Sequence, residues 1–321
     1  MAPVLSRVTV LIPAYNASHL VGDAIRSALS QTYQDLEILV VDDGSTDDTA
    51  DQARSFGSPV QALSVSHGGL ASARNHGMRA ASGELIVFLD ADDVLEESLV
   101  ARAVGFLERH PEVAFVFCNV SVFYDDQIQV PMCIPPAAFG GQMEPVLHNP
   151  LVEVLGVGYP ISSSGLCARR HALREAGFFD EALWGAEDFE YWSRLYLRSP
   201  IGYLAQPLTR LRRHEANMTL QAARMIHSMA ASREKVIANC IKNGRPDLVD
   251  TVRRLARRHM LGAARDVLMG SEAVQARRLL WRYRRELFGL RWLILAAVSM
   301  FPTPALRAVT RLKSWYSAYG L

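Results

Sequence analysis

An α/β fold built on a doubly wound, mostly parallel sheet, followed by a C-terminal helical extension, is what this 321-residue sequence predicts. Three observations carry the prediction. From residue 8 to about residue 120, short β-branched runs alternate with helical stretches, the pattern of βαβ units. Three polar clusters, PAYN, DDGS and DADD, each terminate an apolar run, and strands of such sheets bind ligands at their carboxyl ends. From about residue 220 onward the pattern turns helical and arginine-rich.

The elements follow in order. VTVLIPAYN is the first strand, ending in a polar turn, and LVGDAIRSALSQ the helix after it. LEILVVDDGS is a second strand with Asp42 and Asp43 at its tip. TDDTADQARSF is a helix that Ser45 or Thr46 starts, with acidic residues in its first turn. VQALSVS is the third strand, and ASARNHGMRAAS the third helix, preceded by Gly68 and Gly69, which permit close backbone approach. ELIVFLDADD is the fourth strand, delivering Asp90, Asp92 and Asp93. Residues 124–165, rich in Pro and Gly, predict loops with short strands.

Half of the residues are apolar, enough for a substantial core. Cys118, Cys133, Cys167 and Cys240 are far apart with no CxxC pair, so free thiols in a reducing compartment are expected and no zinc site is implied. The N-terminus lacks a cationic start and a cleavage site, which predicts a cytoplasmic location.

The net charge of +1 conceals an asymmetry. Residues 1–219 carry 15 Lys and Arg against 27 Asp and Glu, a balance of −12; residues 220–321 carry 19 against 6, a balance of +13. The expected division is therefore an acidic α/β domain over 1–219 and a basic helical region over 220–321. The run WLILAAVSMFPTPAL, residues 292–306, is too short to span a bilayer and is interrupted by Pro302 and Pro304. Its flanks hold Arg282, Arg284, Arg285, Arg291, Arg307, Arg311 and Lys313. An amphipathic segment lying on an anionic membrane surface fits this pattern, which predicts peripheral attachment to the inner face of the cell membrane. A helical hairpin packed on the 1–219 domain is the competing expectation. No nucleic-acid partner is expected, because the arginines are interleaved with long apolar runs.

Like charges do not crowd for stability, so the DADD cluster asks for an explanation. Hard cations such as Mg²⁺ or Mn²⁺ take carboxylate ligands together with substrate phosphates, and a metal bridging to a diphosphate would offset the repulsion. The alternative is a turn in which Asp93 caps a following helix. Neither GxxxxGK[ST] nor GxGxxG occurs, so phosphate must be held another way, and metal plus arginine is what this sequence offers.

The run from VTVLIPAYN through VVDDGSTDDT, with GGLASARNHG and LIVFLDADD, closely resembles the family 2 glycosyltransferases, inverting enzymes with the GT-A nucleotide-diphospho-sugar transferase fold. The resemblance covers roughly residues 7–219. SSSGL around Gly165 is similar to the glycine loop before the acceptor site, WGAEDFEYWSRL to the family's ED motif, and LRRHEANMT to its closing histidine motif. It implies that Tyr15 stacks on the nucleobase beside Pro13 and Ala14, that Asp43 hydrogen-bonds the base, and that Arg74 serves the base or diphosphate. It further implies that Asp90 reaches the ribose, that Asp92 and His214 form the metal and diphosphate site, and that Asp188 is the catalytic base. Glu187 would help shape the acceptor site and Trp184 would supply an apolar wall for a sugar.

The expected function is transfer of a sugar from a nucleotide-diphosphate donor, UDP-linked, to a hydroxyl of a cell-envelope glycan or lipid-linked acceptor, assisted by Mn²⁺ or Mg²⁺. A single displacement needs one base and one electrophile at the leaving diphosphate. Two alternatives stand beside it. A non-catalytic nucleotide- or carbohydrate-binding scaffold would be marked by loss of Asp92, Asp188 or His214, and all are present. A nucleotidyltransferase would carry a basic, glycine-rich phosphate loop near its N-terminus, and PAYNASH is not one.

Overall fold

The computed structural model describes residues 7–124, 127–156, 161–214, 222–269 and 273–300. Strand β1 (Val8–Ala14) is followed by α1 (Val21–Leu29), β2 (Leu36–Asp42), α2 (Thr49–Ser55), β3 (Val60–Ser64), α3 (Leu70–Ala80) and β4 (Leu85–Phe88). Every strand and helix expected over this stretch is present. Helix α2 begins three residues after Thr46, because Ser45 and Thr46 are tied elsewhere: the Asn16 amide donates to Ser45 Oγ (2.9 Å) and the Thr46 amide to Asn16 Oδ1 (2.8 Å).

The chain continues through β5 (Val94–Leu95), α4 (Leu99–Arg109), β6 (Phe115–Tyr124), β7 (Gln127–Val130), β8 (Val146–Leu147), α5 (Pro150–Gly156), β9 (Cys167–Arg169), α6 (Arg170–Ala176), α7 (Glu187–Tyr196) and β10 (Ile201–Arg212). The region expected to be loops with short strands thus also contains a helix, α5. C-terminal to these lie α8 (Ala222–Lys242), α9 (Val249–Met269), α10 (Ala273–Arg282), α11 (Arg284–Leu287) and α12 (Leu290–Val298).

Among the described residues the sheet is ten-stranded, in the order β3-β2-β1-β4-β9-β6-β10-β5, with β7 on β6 and β8 on β10. Strands β3, β2, β1 and β4 are mutually parallel, as are β6 and β10. Short β9 runs antiparallel to both β4 and β6, so β4, β6 and β10 all point the same way. That placement matters for the site, because it brings the end of β10 to the same edge as the ends of β1, β2 and β4.

Alternation along β1 sends Val8, Val10 and Ile12 into one apolar layer and Leu11 into the other. The Leu11 layer also receives Phe189, Trp192 and Leu195 of α7, the face expected to be buried there, and continues without a break into Ile226, Met229, Val236, Leu255, Leu280 and Trp292 of the C-terminal helices. The described part of the basic region is therefore packed on the α7 side of the sheet. Residues 301–321, which include Arg307, Arg311 and Lys313, lie outside the described residues.

Candidate active site

The three acids at the end of β4 have three different partners. Asp90 Oδ1 accepts from the Arg74 guanidinium at 2.9 Å. Asp92 Oδ2 lies 3.0 Å from His214 Nε2, a partner 122 residues away that β10 delivers to this edge. Asp93 is buried; its Oδ2 accepts from Ser164 Oγ at 2.5 Å and its Oδ1 from the Arg212 amide at 3.0 Å. Asp93 is not a helix cap. Two residues of β5 follow it, and α4 starts only at Leu99, after Ser98. Its carboxylate instead ties the SSSGL loop to the end of β10. Ser164 also accepts from the Asp90 amide (3.0 Å), so one hydroxyl joins both ends of the acidic turn.

Crowding leaves an electrostatic trace. Burial and the neighbouring Asp90 raise the pKa of Asp92, opposed by its His214 contact. Burial, followed by Asp92 and Asp90, raises that of Asp93 well above the ordinary carboxyl value. Gly165 makes the loop possible. It has a φ of +85°, and a Cβ there would sit 2.0 Å from Thr209 Oγ1.

At the neighbouring strand ends, Pro13 and Ala14 complete β1, and Tyr15 stands out from it, 46% exposed. Asn16 follows at a φ of +47°, a left-handed turn that asparagine tolerates. Asp43 is buried beneath. Its Oδ1 and Oδ2 accept from the Gly68 and Gly69 amides at 2.9 and 2.8 Å, and His67 Nδ1 lies 2.8 Å from Oδ2. Both oxygens are engaged in bracing the 67–69 loop, so a base contact of the kind the resemblance implies would have to share them. His67 is the residue that sequence reasoning missed. Its ring stacks on Tyr15 with centroids 4.2 Å apart and planes 23° apart. The signal was an HGG directly after a strand, of which only the glycines were singled out.

Arg74, on α3, was expected on the nucleotide itself. The structure buries it and engages both terminal nitrogens, with Asp90 and with Glu187 Oε1, each at 2.9 Å. Arg74 Nε and Glu187 Oε2 are buried and have no hydrogen-bond partner among the described residues. A planar guanidinium suits this bridging of two carboxylates. It joins the acidic turn of β4 to the first residue of α7.

Asp188 is next in that helix, partly buried, with Oδ1 accepting from the Phe189 amide at 2.6 Å. Burial and the charge of Glu187 push its pKa from 3.8 up to about 7, with Arg74 pulling the other way. A carboxyl titrating near neutrality is suited to accept a proton from a hydroxyl. Trp184, four residues earlier, is held from the C-terminal side. Its amide donates to Ser228 Oγ (3.0 Å), and the Arg224 guanidinium lies over its ring at 4.1 Å from the centroid.

Among the described residues no cluster of three or more His, Cys, Asp or Glu stands ready for a metal. The fit is of another kind. Asp92 and His214 present a carboxylate oxygen and an imidazole nitrogen side by side, each side chain 27% exposed. A hard or borderline divalent cation accepts such a pair when phosphate oxygens and water complete its shell.

Profiles of known families match over most of this scaffold. The family described as "Glycosyl transferase family 2" matches residues 9–150, and "Glycosyl transferase family group 2" matches residues 85–319, well over half of the chain. A UDP-Glc:alpha-D-GlcNAc-diphosphoundecaprenol beta-1,3-glucosyltransferase of Escherichia coli is 29% identical over 153 residues, 47% of this chain and 57% of that one. Uncharacterized glycosyltransferases of Rickettsia typhi and Rickettsia bellii are 27% and 28% identical over 70% and 67% of this chain, stretches that cover 69% and 30% of their own lengths. Staphylococcus aureus TarS 1-349, solved with UDP-GlcNAc, superposes with a TM-score of 0.69 at 17% identity, covering 96% of this chain and 92% of that 1-349 chain. A Pyrobaculum calidifontis mannosyltransferase solved with GDP-Man and Mn²⁺ superposes at 0.56 and 20% identity, covering 97% and 88%. These superpositions identify the GT-A fold. With profile matches running between them from residue 9 to residue 319 on that fold, the chain belongs to the family 2 glycosyltransferases.

Proposed function

We propose that the chain transfers a sugar from a UDP-sugar to a hydroxyl of a cell-envelope glycan or lipid-linked acceptor, by inverting single displacement. The observation that carries this reading is the Asp90–Arg74–Glu187 bridge. It holds the acidic turn of β4 in register with the helix start where Asp188 titrates near pH 7.

Asp188 takes the proton from the acceptor hydroxyl as that oxygen attacks the anomeric carbon. Asp90, oriented by Arg74, meets the donor's ribose, and Tyr15 supplies an aromatic face for its base. Asp92 and His214 would hold Mn²⁺ or Mg²⁺. When bound, the cation neutralises charge developing on the departing diphosphate. Glu187 shapes the acceptor side, with Trp184 as its apolar wall. Support for the donor class comes from TarS, solved with UDP-GlcNAc, and for a divalent metal from the mannosyltransferase solved with Mn²⁺. Support for a lipid-linked acceptor comes from the E. coli glucosyltransferase, whose acceptor is an alpha-D-GlcNAc-diphosphoundecaprenol.

The division at residue 219 belongs to this proposal, as does a peripheral position on the cytoplasmic face of an anionic membrane. No helix among the described residues is long and apolar enough to cross a membrane. Trp281, Phe288, Leu293, Ile294 and Met300 are nevertheless exposed, among exposed Arg282, Arg284, Arg285 and Arg291. Helix α12 is apolar toward solvent as well as toward the protein, which a water-facing helix avoids.

Titration of UDP, GDP, dTDP and CDP, with and without Mn²⁺, tests the reading, with Asp92→Ala as the comparison. One nucleotide should bind in a metal-dependent way and lose that dependence in the variant. Failure of all four to bind would refute the donor assignment.

A further inference from the structure

The Tyr15 ring, assigned to the donor base, has one face already covered by His67. A nucleobase arriving there must either displace the imidazole or join it. The surroundings of His67 decide between the two.

Its Nδ1 faces two acceptors, the Asp43 carboxylate at 2.8 Å and the Asp43 carbonyl oxygen at 3.1 Å, so Nδ1 carries a hydrogen. Asp43 is itself immobilised by the Gly68 and Gly69 amides. From the other side, Gly44 approaches so closely that a Cβ on it would lie 2.9 Å from the His67 backbone nitrogen. The imidazole is thus anchored through its ring nitrogen and its backbone. The side chain remains 54% exposed. An anchored aromatic ring with an open surface, stacked on a second exposed ring, is a preformed stacking platform.

Resting on the donor reading above, we infer that His67 is a nucleotide-binding residue: it stays in place, and the base of a nucleoside diphosphate adds as the third ring of the Tyr15–His67 stack. Base–aromatic stacking tolerates every base. The platform therefore supplies affinity for the nucleoside, and the choice among bases falls to hydrogen bonds at the base edge.

The test is calorimetric titration of UDP and of inorganic pyrophosphate, both with Mn²⁺, into the wild-type chain, His67→Ala and His67→Phe. Removing the ring should weaken UDP about tenfold or more and leave pyrophosphate unchanged. Phenylalanine should restore UDP binding to within about threefold of wild type, because it keeps a stacking face while losing the Asp43 hydrogen bond. Both variants lose that hydrogen bond, so a merely structural role in the loop would weaken both alike, and that outcome overturns the inference. UDP binding His67→Ala as tightly as wild type, or more tightly, also overturns it, by showing the imidazole to be irrelevant or an occupant of the base's seat. A wild-type chain that binds none of UDP, GDP, dTDP and CDP sinks the donor reading and this inference together. The other two outcomes sink the inference alone.

Discussion

Replacing Asp188 with Asn should stabilise the protein at alkaline pH while abolishing transfer, and the size of the effect follows from the site. The carboxyl's pKa rises from 3.8 to about 7, through burial first and the charge of Glu187 second. A carboxyl whose pKa is higher in the folded than in the unfolded chain costs stability once the pH exceeds the unfolded value. The cost is small near pH 4, grows up to about pH 7, and is constant above. Between those limits it corresponds to about 4 kcal/mol at most. Partial exposure and coupling to Glu187 reduce what is realised, so asparagine should relieve about 1–2 kcal/mol more at pH 8.5 than at pH 5. Asn can keep the hydrogen bond from the Phe189 amide and cannot ionise. Urea denaturation of both proteins across this pH range measures the difference without a known acceptor. A variant-minus-wild-type stability that is flat between pH 5 and pH 8.5 would refute the charge-burial argument. The same ionisation predicts that transfer by the wild type rises with pH through about 7.

Arg74→Met leaves Glu187 buried without its counter-charge and removes the bridge to Asp90; a loss of about 3–5 kcal/mol in urea denaturation is expected. A loss below about 1 kcal/mol would show that the bridge is not a structural link. Paired substitution of Leu293 and Ile294 by Glu puts two charges on the outward face of α12 and should abolish co-sedimentation with anionic vesicles. Unchanged co-sedimentation of that variant counts against this face as the membrane contact.

Much of the fold was legible because it is written in local periodicity. The four parallel strands and the helices between them follow from β-branched runs and apolar spacing within windows of about ten residues. The polar tips were legible for the same reason: a strand that ends in PAYN, DDGS or DADD carries its polar residues to the sheet edge. Helix starts were less so. Thr46 and Asp93 both look like the beginnings of helices, yet Thr46 bonds to Asn16, and Asp93 to Ser164 and the Arg212 amide. Capping propensity is a local preference, and here partners from distant strands override it. His67 escaped notice because a lone histidine has no periodicity. Only the stacked Tyr15 ring and the buried Asp43 give it meaning.

By itself the sequence determined the α/β class, the polar strand ends, the motif order that marks the family, and a basic, arginine-rich C-terminal region. Only the tertiary structure decided which charges meet. It sends Arg74 inward to join Asp90 to Glu187, pairs Asp92 with His214, and lays the C-terminal helices on the α7 side of the sheet. The physical reason lies in the strand order. Insertion of three-residue β9 between β4 and β6, and the return of β10 alongside β6, bring distant residues to one edge. No pattern of period two or 3.6 encodes that juxtaposition, because it arises from long-range pairing rather than from local spacing.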